Sequence, residues 1–190
     1  MSFAKARKLL IVGMILSLLG LFIPYVSLPM SVIGFIVFAI GVYEIREYNN
    51  FWNYFLATYL GILVSFIGVI VFVFGVLPAI VDNQNMFLSE HTKVYLEQNN
   101  INYNKIDFSK VIIGVVLTLI GIIITTVFKY KYLNEFFKIT GIIEFKWSKL
   151  FLIIGFITIP VLIGFFLIIV SLLLELLGYI KMREGSFSTK

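Results

Sequence analysis

The sequence predicts an all-α fold, a polytopic bundle of transmembrane helices, on three observations. Hydrophobic residues make up 61% of the 190-residue chain, charged residues only 13%, and the mean hydropathy is +1.04. Several uncharged runs are long enough to cross a hydrocarbon core of about 30 Å. Most of the 15 Lys and Arg flank those runs. A water-soluble domain lies nearer about 45–50% apolar and about 25% charged, so the surplus apolar surface calls for lipid as its solvent.

The first two spans follow from a length argument. No charged residue occurs from Leu9 to Tyr43, and as one helix that stretch would measure roughly 50 Å, well beyond the hydrocarbon core. It therefore folds back, and Pro24 to Pro29 supplies the turn, because proline removes a backbone donor and restricts the residue before it. The expected spans are 5–23 and 30–45. Lys5, Arg7 and Lys8 precede the first apolar run as in a secretory signal, yet no small-residue cleavage site follows. The segment is therefore expected to stay as a first span.

The connection Glu44 to Tyr54 mixes charges with Tyr48, Phe51, Trp52 and Tyr54, rings that favour the headgroup layer. A third span is expected over 52–77, closed by Pro78. The stretch 82–110 is the one long polar loop, Asn-rich and holding the sole histidine, His91. Asp107 reads as the N-cap of a fourth span over 111–128, an uncharged run of 18 residues. Segment 129–148 then places Lys129, Lys131, Lys138 and Lys146 among aromatic rings, with Lys149 just beyond. It reads as a cytoplasmic interfacial helix stopped at Gly141.

The last apolar run, Leu150 to Ile180, is broken by Pro160 and Gly164. A short hairpin with spans 149–162 and 165–181 places 12 basic residues on the cytoplasmic side and 3 outside; a single tilted helix places 9 and 6. The positive-inside rule prefers the hairpin. The reading is six crossings over five, both termini cytoplasmic in the plasma membrane, with two short hairpins and two longer central helices. Two weak internal echoes agree: Lys8–Gly13 with Lys149–Gly155, and Gly41–Glu47 with Gly178–Glu184.

Small residues recur at helical spacing. Ala57, Gly61, Ser65, Gly68 and Gly75 form one seam, and Gly114, Thr118, Gly121 and Thr125 another. Gly13, Ser17 and Gly20 form a shorter one. Lipid gives no hydrophobic drive for association, so close backbone approach must supply it, and the two long seams are expected to face each other in antiparallel helices. A homodimer face or a pathway lining would use the same residues.

Chemistry has few candidates. Glu175 is the only acid well inside an apolar run and shares a helical face with Ser171. Such a carboxylate either marks an ion or proton pathway or reaches a basic residue near the helix end. His91 has no second histidine, which argues against a metal site. No catalytic motif, cofactor motif or cysteine is present. Enzymatic readings thus lack their reactive groups, and the basic residues flank apolar runs instead of forming a nucleic-acid stripe. The function expected is a non-enzymatic accessory or scaffolding component with a membrane-protein partner or a second copy of itself. The alternative is a small channel or transporter subunit using Glu175, Ser171, Thr118 and Thr125. Lys129, Lys131, Lys138, Lys146 and Lys149 serve either to set topology or to grip anionic lipid.

One resemblance adds to this. Ala4-Lys5, Gly13, Gly20, Ile23-Pro24-Tyr25-Val26, Ile33-Gly34, and the connection bearing Tyr48, Phe51 and Asn53 form one set of marks. Thr140-Gly141 before Phe145, then Gly155 and Ile163-Gly164, form another. Through them the chain resembles, over nearly its whole length, domain-of-unknown-function family 996, mostly archaeal multi-pass membrane proteins. The resemblance implies a polytopic membrane protein and carries over no functional residue. The loop 82–110 is longer than that pattern.

Overall fold

Six α-helices form the computed structural model, which describes residues 3–22, 27–89, 105–159 and 162–183; no strand occurs among them. They are α1 (Phe3–Phe22), α2 (Ser27–Glu44), α3 (Phe51–Ser89), α4 (Phe108–Thr140), α5 (Ile143–Thr158) and α6 (Ile163–Lys181). Among the described residues, four stretches are long and apolar enough to cross a membrane: Ser27–Glu44, Phe51–Ala79, Phe108–Thr140 and Ile163–Lys181. Helix α1 carries three charges in 20 residues, and α5 has 16 residues, about 24 Å of rise. Large apolar side chains point outward along the helices, among them Leu60, Phe66, Ile123 and Phe166 at 57–68% exposure. Such a surface is compatible with lipid and costly in water.

Three boundaries differ from the sequence reading. Helix α2 starts at Ser27, so Pro29 lies in its first turn, where the missing N–H costs nothing; Pro24 lies outside the described residues. Helix α3 runs through Pro78 to Ser89 instead of ending there. The Phe74 carbonyl forfeits one helical partner, but Pro78 is exposed and the flanking turns hold the helix. Helix α4 continues past Phe128 to Thr140, so 129–140 extends α4 instead of starting a helix of its own. No Gly or Pro lies between Phe128 and Gly141, which stands at φ +67° and donates its N–H to Phe137 O at 2.8 Å. A Cβ at Gly141 would touch nothing within 4 Å. The expected result for Gly141→Ala is therefore a purely backbone loss of about 1–2 kcal/mol, read as a lower thermal midpoint in detergent.

The chain divides into two compact units, Met1–Thr58 with Thr126–Lys190, and Tyr59–Thr125. In the first, α1 and α2 pair antiparallel through small residues. Gly20 meets Ser27 and Ser31, Gly13 meets Gly34 and Phe38, and Gly41 meets Leu10. Helices α5 and α6 pair in the same register: Gly155 meets Gly164 and Ile168, Ser148 bonds Ser171, and Gly178 meets the Phe145 ring. Leu10, Gly13 and Gly20 thus occupy the places of Phe145, Ser148 and Gly155. By the same spacing Gly34, Phe38, Gly41 and Val42 occupy those of Ser171, Glu175, Gly178 and Tyr179, all eight of them buried. The echo from Gly41 follows this register as far as Arg183. The echo from Lys8 does not, because it sets Gly13 against Gly155, two helical turns away. Seven residues return to the same helix face, so apolar composition alone cannot tell the two alignments apart.

An aromatic core fills this unit. Phe51, Tyr132, Phe136, Phe145 and Tyr179 are fully buried, and Phe136 lies 4.2–5.4 Å, centroid to centroid, from the rings of the other four. Arg7 of α1 donates Nε to Tyr179 O at 3.2 Å and Nη2 to Ile180 O, placing a cation at the carbonyl end of α6.

In the second unit α3 and α4 run antiparallel. A Cβ on Gly61 would meet Thr125 and the Gly121 carbonyl, one on Gly68 would meet Thr118 and the Gly114 carbonyl, and one on Gly75 would meet Val111. Ser65 Oγ donates across to Thr118 O at 3.3 Å. Ala57 belongs to the first unit and is half-buried. Asp107 caps α4: its Oδ1 accepts the Lys110 N–H at 3.2 Å. The Lys110 ammonium, 3.0 Å away, and the same backbone N–H hold that carboxyl below the usual carboxylate range.

Candidate functional site: a buried ion pair on the second hairpin

Two buried polar networks of the first unit involve α6, while buried Thr58 bonds back to Tyr54 O within α3. On α6, Ser171, Glu175 and Gly178 share one face at offsets of four and three, and all are buried. Ser171 pairs with Ser148 of α5: each Oγ donates to the other's carbonyl, at 2.8 and 2.9 Å, with the hydroxyls 3.2 Å apart. Their protons go to backbone oxygens, so neither hydroxyl is an activated nucleophile.

Glu175 belongs to a separate network one turn further along. Its side chain is fully buried, and Oε1 accepts from Lys129 Nζ at 2.7 Å and from the Tyr179 hydroxyl at 2.6 Å. The Tyr179 hydroxyl lies 2.9 Å from that of Tyr132. Lys129 stands 5.0 Å from the Tyr132 ring centroid and 5.9 Å from that of Phe38, a cationic head lodged among π-faces. Glu175 Oε2 is buried with no hydrogen-bond partner among the described residues. The arrangement neutralises a carboxylate that would otherwise be costly to bury.

Glu175 and Ser171, grouped by helical spacing in the sequence, belong to adjacent networks in the structure. The sequence assigns Lys129 only to topology or lipid contact and gives Tyr132, Tyr179 and Ser148 no role. One signal pointed to Lys129: it is the first charge after the uncharged run of α4, and a carboxylate inside an apolar helix needs a cation at its own depth. Of the other lysines, Lys138 pairs with Glu135 at 2.9 Å. Lys149 donates to Asn134 Oδ1 beside the Tyr130 and Phe137 rings, and Lys131 stands over Phe128. Lys131, Lys138 and Lys146 are exposed. At the start of α5, Glu144 accepts from Lys181, which lowers its carboxyl below the ordinary value.

Thr118 Oγ1 donates to Gly114 O at 2.8 Å, inside its own helix. Two shallow recesses, of about 230 and 210 Å³, are lined by Val69, Phe72, Val115, Thr118 and Leu119, and by Arg46, Asn49, Asn50, Trp52 and Asn53. Neither reaches Glu175. No group of three or more His, Asp or Glu that could hold a metal occurs among the described residues, and His91 lies outside them.

A family profile described as "Protein of unknown function (DUF996)" matches residues 30–173, more than half of the chain. No curated protein and no solved structure matches it.

Proposed function

Because the chain belongs to the DUF996 family, whose description names no activity, we propose a role from its own geometry: a non-enzymatic accessory or scaffolding component of the plasma membrane. In this reading the chain crosses the bilayer six times with both termini cytoplasmic. It works by presenting lipid-facing helices and interfacial turns to a membrane-protein partner or a second copy. Lys131, Lys138, Lys146 and Lys149 hold the cytoplasmic side against anionic lipid, while Lys129 is taken up by Glu175. The observation that carries the reading is the state of Glu175. The one acid inside an apolar run is fully buried and held by Lys129 and Tyr179 on one oxygen, which supports an internal lock over a wet pathway.

Purification from native membranes in mild detergent tests this. A stoichiometric partner or a defined oligomer is expected, and proteoliposomes should pass no more ions or protons than empty vesicles. A second reading, a small channel or transporter subunit, draws on one observation, the open acceptor capacity of Glu175 Oε2. Flux through the wild type that Glu175→Gln abolishes would establish that reading and remove the first.

A further inference from the structure

Residues 45–50 join α2 to α3 as a turn, and the recess of about 210 Å³ beside it is lined by Arg46, Asn49, Asn50, Trp52 and Asn53. Its floor is held in place. The Arg46 guanidinium lies 3.5 Å from the centre of the Tyr43 ring and donates Nη1 to Tyr43 O at 3.4 Å. Tyr43 meets Trp52 edge-on at 5.2 Å, and Trp52 stacks on Phe55 at 5.5 Å. Asn49 forms a wall: its amide donates to Glu135 Oε2 at 2.6 Å while its Oδ1 accepts the Asn50 N–H at 2.7 Å. Glu135 in turn is paired with Lys138. Asn50 and Asn53 are exposed.

Among the described residues no carboxylate stands within ion-pair distance of Arg46. Its planar fork therefore faces the recess as a charged donor beside neutral amides, a set suited to the oxygens of a phosphate. The same position fits a membrane boundary. Tyr43 and Trp52 are amphipathic rings of the kind that settle at headgroup depth, and Ile40 and Leu56, 45% and 48% exposed, continue the surface on the apolar side.

We propose that this recess binds the phosphate of a phospholipid headgroup, with Arg46 as the charged anchor, Asn50 and Asn53 as side donors, and the Tyr43–Trp52–Phe55 stack as the platform. The inference rests on the membrane reading above. Glu44 and Glu47 flank Arg46 in the chain and repel a small free anion. A phospholipid is held by its acyl chains as well, so its phosphate can be presented to Arg46 despite them.

The chain has two tryptophans, so Trp147→Phe leaves Trp52 as the sole indole reporter. Detergent-solubilised W147F is titrated with monomeric short-chain phosphatidylglycerol and, separately, with inorganic phosphate. A saturable Trp52 fluorescence change with the lipid is expected, about tenfold weaker in affinity when Arg46→Gln is added. The exposed-site variant Asn53→Ala should weaken it less, and inorganic phosphate should give no response at millimolar concentration. Equal affinity in W147F and W147F/R46Q, with helicity unchanged, overturns the site. If R46Q unfolds, undiminished affinity in both N53A and Asn50→Ala overturns it instead. Inorganic phosphate binding as tightly as the lipid overturns the lipid as its source. Failure of the membrane reading is a different result: a monodisperse chain without any detergent.

Discussion

Lys129→Met is expected to destabilise the protein by about 3–5 kcal/mol, because it leaves the Glu175 carboxylate buried without its cation. Glu175→Leu should cost a similar amount, since the Lys129 head, 18% exposed, loses its one ion-pair partner among the described residues. The double variant Lys129→Met/Glu175→Leu should lie close to the wild type, as replacing both charges with apolar groups removes the desolvation penalty together with the attraction. The measurement is a double-mutant cycle of thermal or denaturant unfolding in one detergent. Additive losses would show that the pair contributes no coupling. The repeated hairpin register allows a sharper test. Phe38 occupies on α2 the place of Glu175 on α6, and its ring centre lies 5.9 Å from Lys129 Nζ. Phe38→Glu/Glu175→Phe should therefore recover part of the stability lost in Glu175→Phe, with Lys129 turning to its new partner. No recovery would mean that the two positions are not equivalent around Lys129.

The helices were legible in the residues for a physical reason. Uncharged runs leave the backbone no partner but itself in lipid, so Leu9–Tyr43 and Val111–Phe128 announce helical segments without any side-chain detail. The glycine rows were legible because offsets of three, four and seven return to one face. Boundaries were harder. Pro78 is a breaker in isolation, yet its cost is local and a helix of 39 residues carries it. Lys129 to Lys138 read as a new amphipathic element because charge returns there, but charge does not interrupt backbone hydrogen bonds; it is Gly141, with its positive φ, that turns the chain out of the helix. The partner of Glu175 was the least legible feature. Lys129 lies 46 residues away, and their meeting is fixed by how α4 and α6 pack, which no local spacing encodes. The Ser148–Ser171 exchange was hidden for the same reason.

Gly121→Leu should separate α3 from α4 in the second unit. A Cβ at Gly121 would come within 2.5 Å of the Gly61 carbonyl oxygen. The obstacle is backbone, so no rotamer change relieves it, and the larger side chain must push the helices apart. Gly68→Leu meets the same difficulty against the Thr118 N–H at 2.5 Å and the Gly114 carbonyl at 2.8 Å. Overpacking a tight contact typically costs about 1–3 kcal/mol. Here the loss should reach the upper end or beyond, because spreading one glycine contact also weakens its neighbours seven residues away. Leu119→Ala, on an exposed side chain, is the control and should change little. Since the chain has no cysteine, a pair introduced as Ser65→Cys/Thr118→Cys reports the seam directly. In the native arrangement it should oxidise to an intramolecular crosslink, and Gly121→Leu should abolish that crosslink while the two helices persist by circular dichroism. A crosslink that survives Gly121→Leu would show that the seam tolerates a side chain, and the role of close backbone approach in holding these helices would have to be given up.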